Sequence, residues 1–334
     1  MKRLTVIFVL LLLQQGMLSA ESGDGGYAGA FLRMGMGARA KAMGDALTAL
    51  PEGATAGFYN PALLPHVSER QLMVSFGFLP LDRKIDFIGY AQSLQPRARG
   101  NAGKQPLRAG FSLGWVHAGV DDIDGRDSAG NPIGTFSNAE HAFFLSFAIS
   151  PAPIFSIGVS GKVLYNRFPK VAQEDAAVTS TGFGMDLGAF LTPADNLMLG
   201  IVLRDNMSKY TWNTDKLWER GTSTTYKFPK VLRAAAAYRL PQQWLLAQQS
   251  LLIVADVEDS KEQNPRLHCG IETSYQDIGA LRIGLDDMNP TFGLGFWLEV
   301  LGRKAALNYA FVAPGDGPDA EHYFSWTFDL QKNR

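Results

Sequence analysis

Apolar side chains recur at every second position through most of the chain after residue 70. Residues 107–115 place Leu, Ala, Phe, Leu and Trp at odd positions and Arg, Gly, Ser and Gly at even positions. The segments 183–189, 281–286 and 324–330 repeat this alternation of apolar residues with Gly, Ser, Thr or charged residues. A period of two is that of a β-strand, whose successive side chains point to opposite faces. The pattern predicts an all-β chain whose strands each have one apolar and one polar face.

One uncharged window, residues 142–161, is long enough to suggest a membrane helix. It contains Pro151 and Pro153, however, and proline breaks a helix interior. Small residues also recur at alternate positions on both sides of the two prolines. The window therefore predicts two strands joined by a short proline turn.

The alternating runs between residues 71 and 330 predict about fourteen strands, of which 84–92 and 251–258 have the weakest patterns. Long polar connections at 119–138, 207–228 and 314–320 are predicted as outer loops, and the tight connections at 150–154 and 192–196 as periplasmic turns. A closed barrel leaves no free sheet edge, so the last strand is expected to pair with the first.

This alternation fits either a soluble envelope sandwich with one wet face or a membrane barrel with a polar lumen. The strand lengths favour the barrel, since many runs approach the roughly 9–11 residues that cross a bilayer at a tilt. Trp115, Tyr165, Tyr238 and Trp326 lie near strand ends, where an interfacial aromatic girdle is expected. We therefore predict a transmembrane antiparallel β-barrel of about 14 strands, with a soluble β-protein as the alternative.

Charged residues on the polar parity are predicted to face the lumen. They are Arg108, Lys162, Asp186, Arg204, Arg233, Asp256, Arg266, Glu272, Arg282, Asp286 and Glu299.

The N-terminus has the pattern of a secretory signal. Lys2 and Arg3 precede the uncharged apolar run 4–13, and small residues at 19–20 offer a cleavage site. The apolar run is too short to span about 30 Å of hydrocarbon as a helix, which disfavours the alternative of a membrane anchor. Residues 1–20 are therefore predicted to be a signal peptide that directs the protein to the bacterial outer membrane.

Composition narrows the choice of function classes further. The 334 residues are 46% hydrophobic, and 31 Lys and Arg nearly balance 32 Asp and Glu. This balance argues against a nucleic-acid binder, which would be basic. A single Cys excludes an intrachain disulfide scaffold.

Residues 21–66 do not alternate. They are rich in Gly, Ala and Met, with a helical pattern near 38–50 and the sequence Asn60-Pro61-Ala62 close to the end of the block. We therefore predict an N-terminal helical hatch at 21–66, followed by the barrel at 67–334.

The segments 29–46, 54–56 and 59–62 resemble the opening of the PorV/PorQ family of outer-membrane proteins. That family is similar in turn to the FadL-type long-chain fatty-acid transporters. The resemblance extends through 119–136, the Asp186-x-Gly188 strand and the aromatic C-terminal strand. It implies a fourteen-stranded barrel whose N-terminal hatch carries an Asn-Pro-Ala motif.

The resemblance also implies a set of hatch residues with a ligand-gating role, and a cap that merely closes the barrel is the alternative. The set is Phe31, Leu32, Met34, Gly35, Met36, Gly37, Gly44, Asn60, Pro61 and Ala62. The chain departs from the family where Gly44-Asp45 replaces the usual Gly-Gly and where Arg39 and Lys41 add charge. These departures argue against a purely apolar channel floor.

Signatures of catalysis are weak. The sequence Gly35-x-Gly37-x-x-Ala40 mimics a dinucleotide fingerprint, but the preceding strand and the βαβ context are missing from the pattern. Asp122, Asp124 and Asp127 suggest calcium, yet Arg126 and Ile133 occupy positions at which an EF-hand needs ligands. The five His show no metal spacing, and Cys269 falls on the apolar parity. We predict no enzymatic activity, no cofactor and no metal.

Two functions remain. The family resemblance implies a non-enzymatic accessory or shuttle of type IX protein secretion, whose partners are a surface sortase and the C-terminal domains of cargo proteins. The alternative is a FadL-like passive uptake channel that binds long-chain fatty acids or other hydrophobic small molecules in its lumen. Both roles need contact with outer-membrane lipid and neither involves nucleic acid.

Overall fold

The computed structural model describes residues 27–67, 70–94, 107–168, 177–213, 215, 221–276, 278–315 and 319–331. The predicted signal peptide at 1–20 lies outside these residues. The helices are α1 (Ala38–Ala42) and α2 (Ala56–Tyr59), with 3₁₀ turns at Ala30–Arg33, Gly53–Thr55, Pro61–His66 and Gln242–Trp244. The strands are β1 (Gln71–Leu79), β2 (Arg83–Leu94), β3 (Arg108–Arg126), β4 (Pro132–Ala152), β5 (Phe155–Phe168), β6 (Val178–Ala194), β7 (Leu197–Asn206), β8 (Lys209–Asn213), β9 (Ser223–Lys227), β10 (Val231–Arg239), β11 (Gln249–Ser260), β12 (Gln263–Tyr275), β13 (Gly279–Asp286), β14 (Asn289–Val300), β15 (Arg303–Val312) and β16 (Glu321–Asp329).

Fourteen of these strands form a closed antiparallel barrel. Around the wall the order is β5-β4-β3-β2-β1-β16-β15-β14-β13-β12-β11-β10-β7-β6, and pairing of β5 with β6 closes the ring. The first and last strands pair from Gln71 opposite Asp329 to Phe78 opposite His322. The predicted barrel and its strand number are confirmed, including the two strands with weak patterns, which are β2 and β11.

The alternation of the sequence maps onto the two faces of the wall. On β4, Leu145 is 58% exposed and points outward, whereas Ser146 beside it is fully buried and points inward. The same contrast separates Ile283 from Arg282 on β13. Much of the apolar surface therefore covers the outside of the barrel, and polar side chains point to its interior.

Two loop predictions are wrong in part. Residues 119–138 are mostly strand, because β3 and β4 continue as a paired ribbon to a turn at 127–131. The 207–228 connection contains the hairpin of β8 and β9, which pairs with the end of β6. β3 and β4, of 19 and 21 residues, are longer than a bilayer crossing requires, so strand pairing continues into segments whose polar composition resembles that of loops.

The helix predicted near 38–50 is also wrong in extent, since α1 ends at Ala42. Gly44 and Asp45 both have positive φ angles, 64° and 65°, which end a right-handed helix. A Cβ at Gly44 would clash with the carbonyl oxygens of Cys269 and Leu285, so the backbone turns where it meets the wall. Among the described residues, no helix is long and apolar enough to cross a membrane.

Candidate functional site

Residues 27–67, here called the hatch, are enclosed by the barrel. Hydrogen bonds join them to three well-separated strands of the wall. Ala38 N donates to Ser325 Oγ of β16 at 2.7 Å, and Thr48 N donates to Asp256 Oδ2 of β11 at 3.0 Å. Ser156 Oγ of β5 donates to Ala62 O at 2.6 Å. The hatch therefore fills the barrel interior between these strands.

Residues 27–52, the charged half of the hatch, bind β10–β13 through ion pairs. Arg39 donates twice to the Glu272 carboxylate, at 2.7 and 2.6 Å. Lys41 Nζ lies 2.6 Å from Asp286 Oδ2 and 3.0 Å from Met34 O. Burial, the largest single effect, would lower the pKa of Lys41, but Asp286 together with Tyr323, Glu321 and Asp45 outweighs it and holds the pKa well above its usual value.

Asp45 is the centre of a fully enclosed cluster. Arg233 donates to its Oδ2 from both terminal nitrogens at 3.1 Å and forms a second ion pair with Glu258. The Tyr59 hydroxyl donates to Asp45 Oδ1 at 2.5 Å. Burial, and after it the Asp45 carboxylate, raise the pKa of Tyr59 well above its usual value, so the phenol stays protonated.

Residues 53–67, the neutral half of the hatch, are held without ion pairs among the described contacts. Asn60 is fully buried; its Oδ1 accepts from Ala62 N at 3.0 Å and caps the 3₁₀ turn that follows. Its Nδ2 donates to Thr48 O at 3.0 Å and to Ala189 O of β6 at 3.2 Å. Gly188 makes this approach possible, since a Cβ there would clash with Asn60 Oδ1. Asn60 thus links both halves of the hatch to the wall.

The neutral half also packs against small wall residues. Ser146 Oγ lies 3.1 Å from Gly57 O and 2.8 Å from Ser160 Oγ. Leu63 and Leu64 are fully buried in an apolar cluster that includes Phe190. This contact consists of neutral hydrogen bonds and apolar packing.

An aromatic cluster occupies the lumen beside β2 and β4. The Phe58 ring of the hatch lies 6.4 Å from Phe87 and 6.2 Å from Phe144, and the two wall rings stack on each other at 6.2 Å. Val116 and Leu164 beside them are fully buried. Near these rings the inner wall is apolar on β2–β4, whereas β10–β13 carry the buried charges that face the hatch.

A further buried ion cluster lies at a bulge between β6 and β7. Lys162 Nζ is 2.8 Å from both Asp186 Oδ1 and Asp205 Oδ1. Asp205 has a φ of 55°, and its N–H donates to Asp186 Oδ1 at 2.8 Å where the register shifts. The Asp186 carboxylate thereby accepts the hydrogen bond of a backbone N–H that the bulge removes from the pairing between strands.

The predicted lumen-facing charges fall into three groups by exposure. Lys162, Asp186, Arg204, Arg233, Asp256, Glu272 and Arg282 are buried; Arg266 and Asp286 are half-buried; Arg108 and Glu299 are exposed at strand ends. Of the predicted gating residues, Met34 is half-buried, and Phe31, Leu32, Gly35, Met36, Gly37, Gly44, Asn60, Pro61 and Ala62 are buried. Their gating role stays a prediction.

Sequence reasoning missed several residues that hold the hatch. Glu258 and His268 lie on the polar parity of β11 and β12, so the same alternation could have identified them. Asp45 was noticed as a departure from the family pattern, but its partner Arg233 is 188 positions away. Local sequence carries no signal for such a long-range pair.

A cavity of about 190 Å³ separates the hatch from β14–β16 at the end of the barrel where β16 ends and β1 begins. Its wall includes Arg39, Glu52, Gln71, Arg282 and Trp297. Polar groups therefore predominate on its surface.

Solved structures share this architecture. The chain aligns with the Pseudomonas putida toluene transporter TodX over 90% of its own length and 99% of that chain, with a TM-score of 0.59 and 13% identity. The fold is that of the FadL and TodX barrels. The CymD monoaromatic hydrocarbon channel (TM-score 0.53, 13% identity, 90% of this chain and 99% of that one) and a Pseudomonas aeruginosa FadL homologue (0.53, 13%, 89% and 98%) align similarly.

Neither family models nor curated proteins match the sequence. The likeness at 13% identity concerns the fold, and membership of the PorV/PorQ family stays a prediction.

Proposed function

We propose that this protein is an outer-membrane channel for the passive uptake of hydrophobic small molecules. The observation that carries the proposal is the closed barrel around an N-terminal hatch, an architecture shared with the toluene transporter TodX. The buried aromatic cluster of Phe58, Phe87 and Phe144, where the hatch meets the wall, would line a route with apolar rings when the hatch is displaced. Apolar and aromatic linings suit hydrophobic ligands, and a few polar groups orient them. The TodX fold supports the same function, since that protein is a toluene transporter.

The outer surface supports placement in a membrane. Large apolar side chains are exposed around the wall, among them Phe143, Phe183, Leu281 and Phe292. A soluble protein rarely exposes so extensive an apolar surface. Heat-modifiable migration of the protein from an outer-membrane fraction is the expected result, and recovery in the soluble periplasm would contradict the placement.

Uptake can be measured in cells that lack other channels of this kind. Cells that produce the protein are expected to accumulate labelled toluene or oleate several-fold faster than cells with an empty vector, and to accumulate a labelled sugar equally. Val116→Asp places a carboxylate beside the aromatic cluster and should abolish the faster accumulation of toluene or oleate. Val116→Leu, which keeps the site apolar, is the matched control.

All variants are compared at equal amounts of heat-modifiable protein, so that loss of folding is separated from loss of uptake. Equal uptake with and without the protein would contradict the proposal. Equal uptake by the two Val116 variants would place the route away from the aromatic cluster.

The secretion role is the second candidate, favoured by the N-terminal resemblance and by one structural feature. The paired ribbon of β3 and β4 continues to Arg126 and Pro132, well past the point where β2 and β5 end. Such a ribbon offers a docking surface for a partner protein. In a host with type IX secretion, deleting the gene should leave cargo with its C-terminal sorting domain unprocessed; normal maturation would contradict this role.

A further inference from the structure

The cavity between the hatch and β14–β16 has an unusual balance of charge. Arg39 and Arg282 both contribute guanidinium groups to its wall. Both bind one carboxylate, Glu272, with Arg282 Nε at 2.5 Å and Arg39 at 2.6 and 2.7 Å. Two guanidinium groups around one carboxylate leave one positive charge, and Glu52 of the hatch pairs with Arg39 to balance it. The other carboxylate of the cavity wall, Asp329, accepts from Gln71 Nε2 at 2.8 Å.

The two carboxylates are not held equally. Glu272 is 8% exposed and accepts hydrogen bonds from both arginines. Glu52 is 23% exposed, lies at the cavity surface and pairs with Arg39 alone among the contacts described for its carboxylate. A partly exposed ion pair of this kind is worth only about 0.2–1 kcal/mol. Glu52 is therefore the carboxylate that another anion could replace.

The rest of the wall defines what such an anion would look like. Trp297, Ala305, Ala306 and Pro51 supply apolar surface next to the arginines. The volume of about 190 Å³ corresponds to about six water molecules, which restricts the occupant to a compact molecule. A planar aromatic acid combines one carboxylate with a small apolar body.

We propose that this cavity is a binding site for compact carboxylates such as aromatic acids. The ligand carboxylate takes the place of Glu52 at Arg39, and its ring lies against Trp297 and Ala306. Arg282, held by Glu272 and by Asn308 Oδ1 at 2.9 Å, keeps the second guanidinium in place. Compact carboxylates would then be one class of substrate for the proposed channel, and the role of this site in uptake rests on that proposed function.

Binding is tested with the purified full-length protein in detergent by titration calorimetry. Benzoate is the probe, and benzamide, its neutral analogue, is the reference. Benzoate is expected to bind and benzamide to bind far more weakly. Glu52→Gln removes the competing carboxylate and should tighten benzoate binding by about 1.5- to fivefold, the size of a partly exposed ion pair.

Arg39→Gln should weaken benzoate binding below detection. Asp195→Asn, which removes an exposed carboxylate from the turn between β6 and β7 at the same end of the barrel, is the matched control and should leave binding unchanged. The gain expected for Glu52→Gln does not depend on whether Arg39→Gln folds. A purely structural ion pair at Glu52 would give no gain in affinity.

Equal affinity for benzoate and benzamide, or no gain in the Glu52→Gln variant, would overturn the proposal. The two proposals fail separately. Benzoate binding without uptake of any hydrophobic compound contradicts the channel, whereas uptake of toluene without benzoate binding contradicts the carboxylate site.

Discussion

The two halves of the hatch are held in the same barrel by different physical means. The charged half places Arg39, Lys41 and Asp45 against oppositely charged wall residues on β10, β12 and β13. The neutral half uses Asn60, serine hydroxyl groups and apolar packing against β4–β7. Buried charges need all their partners, because an unpaired ion in a low-dielectric interior is costly. Neutral contacts can be removed singly at a smaller cost.

The difference teaches which half can respond to its surroundings. Ion pairs at the cavity surface weaken with salt and with competing ions. Hydrogen bonds to backbone carbonyls and apolar contacts depend little on salt. We therefore expect the Arg39–Glu52 pair at the cavity surface to loosen first under changed ionic conditions, while the enclosed Asp45 cluster and the neutral half hold the hatch on the wall.

The largest effect is expected from Arg233→Met. This change leaves the Asp45 and Glu258 carboxylates buried without their cation, and breaking a buried ion pair costs about 3–5 kcal/mol. The charged half should be released from the wall. Trypsin measures the release, because Arg33, Arg39 and Lys41 lie in this half and residues 53–67 contain no Lys or Arg.

The control for Arg233→Met is a variant that also lacks the two buried carboxylates left without their cation. Adding Asp45→Asn and Glu258→Gln to that variant should restore much of the resistance to trypsin. Cleavage of the single variant at the parental rate would show that the cluster does not hold the hatch.

A smaller effect is expected from Asn60→Ala in the neutral half. The change removes the cap of a 3₁₀ turn, worth about 0.5–2 kcal/mol, together with the hydrogen bond to Ala189 O. Chymotrypsin cleavage after Phe58 and Tyr59, identified by fragment mass, reports on this half. The loss should be the same at low and high salt, and a strong salt dependence would contradict the contrast between the halves.

The barrel could be predicted from the sequence because its signal is local. Each strand shows its own alternation, as in residues 107–115, and closure follows from the absence of free edges in a membrane barrel. Asn60 was identified through a family resemblance, while the residues that it touches were not.

The hatch contacts could not be predicted for a physical reason. The pairs Lys41–Asp286 and Asp45–Arg233 join residues about two hundred positions apart, and many charges on the polar parity compete as partners. Only the barrel geometry brings a given pair together. The cavity likewise depends on how the hatch packs against β14–β16, which no periodicity encodes.

The smallest effect concerns pH and His66, at the end of the neutral half. Its ring packs edge-on against Phe190 at 4.9 Å, and burial, followed by the nearby Arg108, lowers the His66 pKa to about 4. An unfolded histidine titrates near 6.5, so a released hatch binds the proton more readily between pH 6.5 and 4. This contribution to hatch stability is full above pH 6.5 and is lost as the pH falls toward 4.

Lys41 of the charged half stays protonated throughout that range, because its pKa is raised. Asp256, which accepts from Thr48 N, and His268, which contacts Gly44 O, are present in both the parent and His66→Phe, so the difference between the two proteins isolates His66. His66→Phe keeps an aromatic ring against Phe190. Because the new Phe is itself a chymotrypsin site, the readout is cleavage after Phe58 and Tyr59, identified by fragment mass, which should be slower than in the parent at pH 5, with a smaller difference at pH 7.5. His322→Phe, on the outer surface, is the matched control and should follow the parent. Identical pH profiles for the parent and His66→Phe would show that burial of this imidazole does not contribute to retention of the hatch.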